Sequence, residues 1–94
     1  MKFFDICTKA LVPTNAIELE VYEAGKGGIP IVLCHGWPEL AFSWRHQIPI
    51  LIEMGFHCIV PNLRGYGNSS KPTEVDSYNA VNLSEDLNGL LDHY

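Results

Sequence analysis

The segment richest in chemical possibility is His35-Gly36-Trp37-Pro38-Glu39, which follows directly on the apolar run Pro30-Ile31-Val32-Leu33-Cys34. A glycine after a buried strand allows a sharp exit that a Cβ would obstruct. Proline fixes its own φ and brings no N–H, which leaves the amide of Trp37 free to point into the crevice that the turn encloses. An oriented backbone donor of that kind stabilises negative charge as it develops on a reacting oxygen. The same letters also fit a plain Gly-Pro turn with an aromatic packed over it, and spacing alone does not separate the two. His35 invites a general-base reading, while Glu39 either lines the pocket mouth or faces solvent.

A second polar loop, Asn62-Leu63-Arg64-Gly65-Tyr66-Gly67-Asn68, follows the run His57-Cys58-Ile59-Val60. Gly65 and Gly67 read as turn residues, and Arg64 and Tyr66 as braces of the loop rather than substrate contacts. His46 and His57 have no carboxylate at helical or strand spacing and are expected on the surface or in the core. The three cysteines, Cys7, Cys34 and Cys58, include no Cys-x-x-Cys pair, so neither a disulfide framework nor a metal site follows. Cys34 and Cys58 lie in apolar runs and read as small buried thiols; Cys7, nearer the end, is left open. We expect no metal and no cofactor. Neither Gly-x-Asp-x-Gly nor Gly-x-Ser-x-Gly, the elbow that carries a nucleophile at a strand-to-helix turn, is present in the 94 residues.

The elements that must position these loops change character once, near Gly25-Lys26-Gly27-Gly28. Before it, residues 16–23 alternate apolar and acidic, the pattern of a strand with one buried and one wet face. Residues 3–11 are its expected hairpin partner, with Pro13-Thr14-Asn15 as the turn. After the glycines the alternation stops, and the runs at 30–34 and 57–60 read as strands buried on both faces of a parallel pair. Between them, residues 43–54 form a helix candidate. Ser43 caps it, Trp44, Ile48, Leu51 and Ile52 lie on one stripe, and Gly55 ends it. Pro49 should kink or restart that helix. A last helix spans 79–93, with Leu83, Leu87, Leu90 and Leu91 on one stripe; Asn82 with Glu85 offers a later start as a capping box.

The order is therefore β-β-β-α-β-α. Because crossovers between parallel strands are right-handed, the two helices are expected on opposite faces. Both polar loops then meet at the carboxyl ends of the strands, where open α/β sheets bind ligands.

Composition narrows the function classes. A chain of 94 residues with 47% apolar and 18% charged residues suits one folded domain rather than a disordered segment. A net charge of −5 without a basic stripe argues against nucleic-acid binding. No apolar run approaches the ~20 residues that span a bilayer. Asp5 and Lys9 interrupt any signal-peptide core, so a cytoplasmic location without membrane contact is expected.

At the two loops the sequence resembles a known family. His-Gly-Trp-Pro-Glu at 35–39, then Ser43-Trp44-Arg45-His46-Gln47-Ile48-Pro49, then residues 61–72 with Arg64-Gly65-Tyr66-Gly67 at their centre, resemble in order the opening of α/β-hydrolase-fold epoxide hydrolases. The resemblance implies the amino-terminal part of an α/β-hydrolase core over residues 1–94, with an incomplete sheet and without the cap domain or carboxy-terminal half. It implies that the Trp37 amide is half of an oxyanion hole, that His35, Gly36, Pro38 and Glu39 line the substrate pocket, and that His35 is structural. The family's reaction opens a small apolar epoxide through an ester to an Asp. That Asp, an activating His with its acid and a pair of Tyr are all expected beyond Tyr94. Where the family usually has Asp, this chain has Asn62 and Asn68, so any ion pair made there is in question.

Haloacetate or haloalkane dehalogenases and serine esterases of the same fold are the alternatives within enzymes. A non-catalytic fragment that acts only with a partner is the alternative outside them. With the sheet incomplete, the strand at 31–34 is expected to present an open edge that pairs with a second copy or with the missing half.

Overall fold

Period-two alternation in the first third builds a hairpin. β1 (Thr8–Thr14) and β2 (Ile17–Ala24) pair antiparallel, in register from Thr8↔Glu23 to Thr14↔Ile17. The chain reverses at Asn15 and Ala16, whose φ values of 49° and 63° are both left-handed. That conformation matches the right-handed twist of the flanking strands. The strand therefore runs three residues past the expected 11, and the turn is Asn15-Ala16 rather than Pro13-Thr14-Asn15. The computed structural model describes residues 6–35 and 40–94.

After the glycines come β3 (Ile29–Val32) and β4 (Phe56–Pro61). β4 pairs parallel with β3 and antiparallel with β2, giving a four-stranded mixed sheet in the order β1-β2-β4-β3. The Ile29 amide bonds to the Gly55 carbonyl and the Leu33 amide to the Ile59 carbonyl, both at 2.9 Å. Odd-numbered residues of β3 thus face β4. The nitrogen of Pro30 faces outward, where its missing donor breaks no ladder bond.

The expected helix at 43–54 is two pieces. Ala41–Trp44 forms a 3-10 turn, and α1 (Ile48–Glu53) restarts with Pro49 in its first turn, where proline's missing N–H is tolerated. Ser43 does not cap it; the residue before α1 is Gln47. A second 3-10 turn, Val75–Tyr78, precedes α2 (Ala80–His93). α2 begins at the earlier of its two candidate starts, because the Asn79 side chain accepts from the Asn82 amide at 2.8 Å.

The helices cover opposite faces, as handedness requires. Ile48 of α1 packs with Tyr22, Ala24, Leu33, Cys58 and Val60, with Leu51 and Trp44 alongside. Leu90 of α2 packs with Val12, Leu19, Val21 and Ile59. β2 is consequently buried on both faces rather than one, and its alternating acids divide: Glu18 is exposed, while Glu20 is 3% exposed.

Candidate functional site

The loop after β4 is held by a charge pair that crosses to α2. The Arg64 guanidinium donates through Nε to Asp86 Oδ2 and through a terminal nitrogen to Asp86 Oδ1, both at 2.8 Å. Its other terminal nitrogen donates to the Ser77 carbonyl at 2.6 Å. Both side chains are buried, Asp86 at 1% exposure. The paired carboxylate holds the guanidinium firmly charged against the opposing effect of burial. Arg64 is thus the brace the sequence suggested. Asp86, which is not among the residues the sequence singles out, sits three residues after Leu83 and four before Leu90, on the inward stripe of its helix. A lone acid on such a stripe is the signal that could have found it.

On the opposite face, Glu20 organises the start of the same loop. Its carboxylate accepts from Asn62 Nδ2 at 2.7 Å, from the Asn68 amide at 3.1 Å and from Asn68 Nδ2 at 2.8 Å. Lys9 stands 3.7 Å away. Burial alone would raise the Glu20 carboxyl, but the bonds from Asn68 and Asn62, with Lys9, outweigh it and hold it below the usual range. The amides at 62 and 68 therefore serve a purpose: both donate to a buried anion, which an Asp in either place could not do. Gly67 is forced here, since with φ at 54° any Cβ would lie 2.5 Å from Asn62 Nδ2.

His35 and Ala41, which precede and follow residues 36–39 in the sequence, both bond to this loop. Upstream, the Leu63 amide donates to His35 Nε2 at 3.0 Å, and the Tyr66 ring meets the His35 ring edge-on at 4.7 Å. Downstream, the Ala41 amide donates to Asn62 Oδ1 at 2.6 Å. Because Nδ2 of Asn62 is committed to Glu20, its oxygen must face Ala41. His35 Nε2 is occupied as an acceptor, which fits a structural histidine rather than a base. Gly36, Trp37, Pro38 and Glu39, four of the five expected site residues, lie outside the described residues.

Beside His35 opens a cleft of about 600 Å³ lined by Leu63, Arg64, Gly65, Tyr66, Tyr78 and Leu83. Tyr78 donates to the Pro72 carbonyl at 2.7 Å and crosses over Gly65, where a Cβ would come within 2.7 Å of the ring. His35, at the carboxyl end of β3, meets the loop that follows β4, and the cleft between them is largely apolar.

The other candidates lie elsewhere. His46 is exposed. His57 is buried and does have a carboxylate partner, Glu23 Oε1 at 2.9 Å, with Tyr94 donating to the other Glu23 oxygen at 2.8 Å. The partner comes through the register of β2 on β4, which pairs Glu23 with Ile59, and so no spacing along the chain reveals it. Cys58 is buried as expected, but Cys34 is exposed, because β3 ends at Val32 on the open side of the sheet. Burial pushes the Cys7 thiol up to about 11. Among the described residues no group of three His, Cys, Asp or Glu could hold a metal ion. Among them, too, no helix is long and apolar enough to cross a membrane.

Comparison with known proteins adds to this geometry. The family description "alpha/beta hydrolase fold" matches residues 29–94. The chain is 54% identical over 86 residues to Epoxide hydrolase A of Mycobacterium tuberculosis, which covers 90% of this chain and 27% of the relative. Among solved structures, Epoxide Hydrolase A from Mycobacterium thermoresistibile superposes with a TM-score of 0.88 at 48% identity, covering 93% of this chain and 28% of that one. Epoxide hydrolase VrEH1 from Vigna radiata superposes at 0.91 and 37% identity, covering 95% and 29%. The chain spans about a quarter of the length of these proteins.

Proposed function

Since this chain belongs to the α/β-hydrolase fold family, we propose that it forms the amino-terminal part of an epoxide-opening hydrolase and supplies that enzyme's oxyanion-binding amide. In this reading a carboxylate nucleophile from outside these 94 residues, which carry no Gly-x-Asp-x-Gly elbow, attacks a ring carbon of a small apolar epoxide. The ring carbon–oxygen bond breaks as the ester forms, and the released oxygen takes a proton from the tyrosine pair that the resemblance implies. Water then attacks the ester carbonyl, and its oxygen gathers negative charge. The Trp37 N–H donates to that oxygen, Gly36 and Pro38 shape the turn that aims it, and His35 and Glu39 border the pocket. The protein acts in the cytoplasm and needs no bound metal or cofactor.

The observation that carries this reading is the double clamp around residues 36–39. His35 is fastened to the Leu63 amide and Ala41 to the Asn62 side chain, beside an apolar cleft. A loop that must hold one N–H on a developing charge needs fixed ends, because electrostatic stabilisation depends on donors already in place. The relatives named as epoxide hydrolases support the substrate class.

The test replaces the Trp37 peptide nitrogen by an ester oxygen through chemical ligation at Cys34. The product is then assayed with the remaining part of the Mycobacterium tuberculosis enzyme on a styrene-oxide-type substrate. Loss of one oxyanion donor should slow ester hydrolysis by about 10²–10³-fold while leaving ester formation nearly unchanged. A change below tenfold in the hydrolytic step would refute the assignment of Trp37. Absence of turnover by the unaltered pair would refute the substrate class.

A further inference from the structure

Glu20 is a carboxylate in a place suited to an apolar side chain. Its neighbours on β2, Leu19 and Val21, are fully buried, and so is Glu20 but for a trace. Burying an ion is costly unless its partners are well placed, and here they are gathered around one residue. The Asn62 amide donates to the Glu20 carbonyl at 2.8 Å. The Glu20 amide donates to Ser69 Oγ at 2.8 Å, and Ser69 Oγ donates in turn to the Asn62 carbonyl at 2.6 Å. These bonds lock residue 62 beside residue 20 and leave only the side-chain amide of Asn62 a choice of direction.

An ionised carboxylate accepts hydrogen bonds and cannot donate them, whereas an asparagine amide has a donor at one end and an acceptor at the other. With Nδ2 of Asn62 drawn to Glu20 Oε1 at 2.7 Å, Oδ1 is turned to the Ala41 N–H, 2.6 Å away. Ala41 is completely buried at the start of the first 3-10 turn, so its N–H depends on that acceptor. Because a peptide unit is planar, the bond orients the Leu40–Ala41 peptide, which lies just past Glu39. Glu20 does not need Asn62 to stay in place. Asn68 holds it through its backbone and side-chain donors, and Lys9 of β1 stands 3.7 Å away. Tyr22, further along β2, feels the same charge.

We propose that Glu20 is a positioning residue for ester hydrolysis: by admitting only the donor end of the Asn62 amide, it fixes the peptide at which the oxyanion-binding turn rejoins the core. The inference rests on the reading under Proposed function and names the side chain that holds that turn ready. Preorganised donors lose much of their effect when their support loosens, so the role belongs to the step in which negative charge develops.

The test pairs variants of this chain with the remaining part of the Mycobacterium tuberculosis enzyme and follows single turnovers of a styrene-oxide-type substrate. Glu20→Leu, which offers Asn62 no acceptor, should slow ester hydrolysis at least tenfold while ester formation stays within threefold of native. Glu20→Gln keeps an acceptor for Asn62 and should hydrolyse the ester within threefold of native. Asn68→Ala, which removes a support of Glu20 but not the Asn62 bonds, should do the same. A merely structural Glu20 would lower the amount of ester formed, not the rate constant of its breakdown. Hydrolysis by Glu20→Leu within threefold of native, or Asn68→Ala as slow as Glu20→Leu, would overturn the proposal. A measurement on the native chain stands even if Glu20→Leu fails to fold. Lysine and tyrosine side chains do not change charge in acid, so acid titration of the 15N-labelled chain in the complex reads Glu20 at this node. The Asn62 side-chain and Ala41 backbone signals should move together, with a midpoint below 4.5. An Ala41 signal that stays still while Asn62 moves would also overturn it. A complex in which the two signals move together but no epoxide is turned over sinks the functional reading and leaves the link from Glu20 to Ala41 standing.

Discussion

Replacing Asn62 by Asp tests the logic of the buried loop most directly. In the native chain Asn62 Nδ2 donates to Glu20 Oε1 at 2.7 Å while Oδ1 accepts from Ala41 at 2.6 Å. Asn62→Asp keeps the acceptor for Ala41 but sets a carboxylate oxygen against Glu20 where a donor had been. If both carboxylates stay ionised about 4 Å apart, their repulsion at an effective dielectric constant of ~20 is about 4 kcal/mol. If one takes a proton instead, the cost at pH 7 is about three units above an ordinary carboxyl, again about 4 kcal/mol.

Acid reverses the effect. At pH 5 the protonation route falls to about 1.4 kcal/mol, so the variant recovers relative to wild type as pH drops. Wild type behaves in the opposite sense. The Glu20 carboxyl is held below its ordinary 4.5, so its contribution is complete above that value and is lost as pH falls through the lowered one. Urea unfolding followed by circular dichroism at pH 7 and pH 5 measures both curves. Glu20→Gln combined with Asn62→Asp restores a donor facing an acceptor and should recover at least 2 kcal/mol of the loss, a coupling typical of contacting groups. A cost below 1 kcal/mol at pH 7, or a double variant no better than the single, would refute the account. One corollary concerns relatives: an Asp at this position is compatible only with a non-acidic residue at the place of Glu20.

Two further substitutions probe how α2 is fastened. Asp86→Ala leaves the Arg64 guanidinium buried without its anion and should cost about 3–5 kcal/mol in chemical denaturation, the range for breaking a buried pair; a cost under 1 kcal/mol would mean that water already screens it. Gly89→Ala ought to gain about 1 kcal/mol from helix propensity, yet its Cβ would press on the Thr14 side chain. A net loss of about 1–3 kcal/mol is therefore expected from overpacking, with recovery when Thr14→Ala is added.

Much of the architecture was legible because hydrophobic period reports burial directly. The hairpin, the parallel pair and the placement of the helices on opposite faces followed from residues 16–23, 30–34 and 57–60 together with chain handedness. What escaped depends on residues far apart in sequence. Glu20 looked wet because its neighbours alternate, but the loop carrying Asn62 and Asn68 folds back over it. His57 looked unpartnered because Glu23 reaches it only through strand register. The hairpin turn was misplaced because Ala16 is an unexpected residue for a left-handed position. In the site, the bracing role of Arg64 was readable from its loop, whereas its pairing with Asp86, 22 residues further along, depends on how α2 packs over that loop.

The strand order β1-β2-β4-β3 has a kinetic consequence. β3 leaves the ribosome before β4, yet β4 must end up between β2 and β3. In the folded sheet β2 and β3 run antiparallel and are joined by a short glycine-rich link, so before residues 56–61 emerge the two segments are expected to be able to close on each other as a false hairpin. Escape from that trap requires peeling the two apart, a step whose delay should grow with any pause in synthesis between residues 35 and 56.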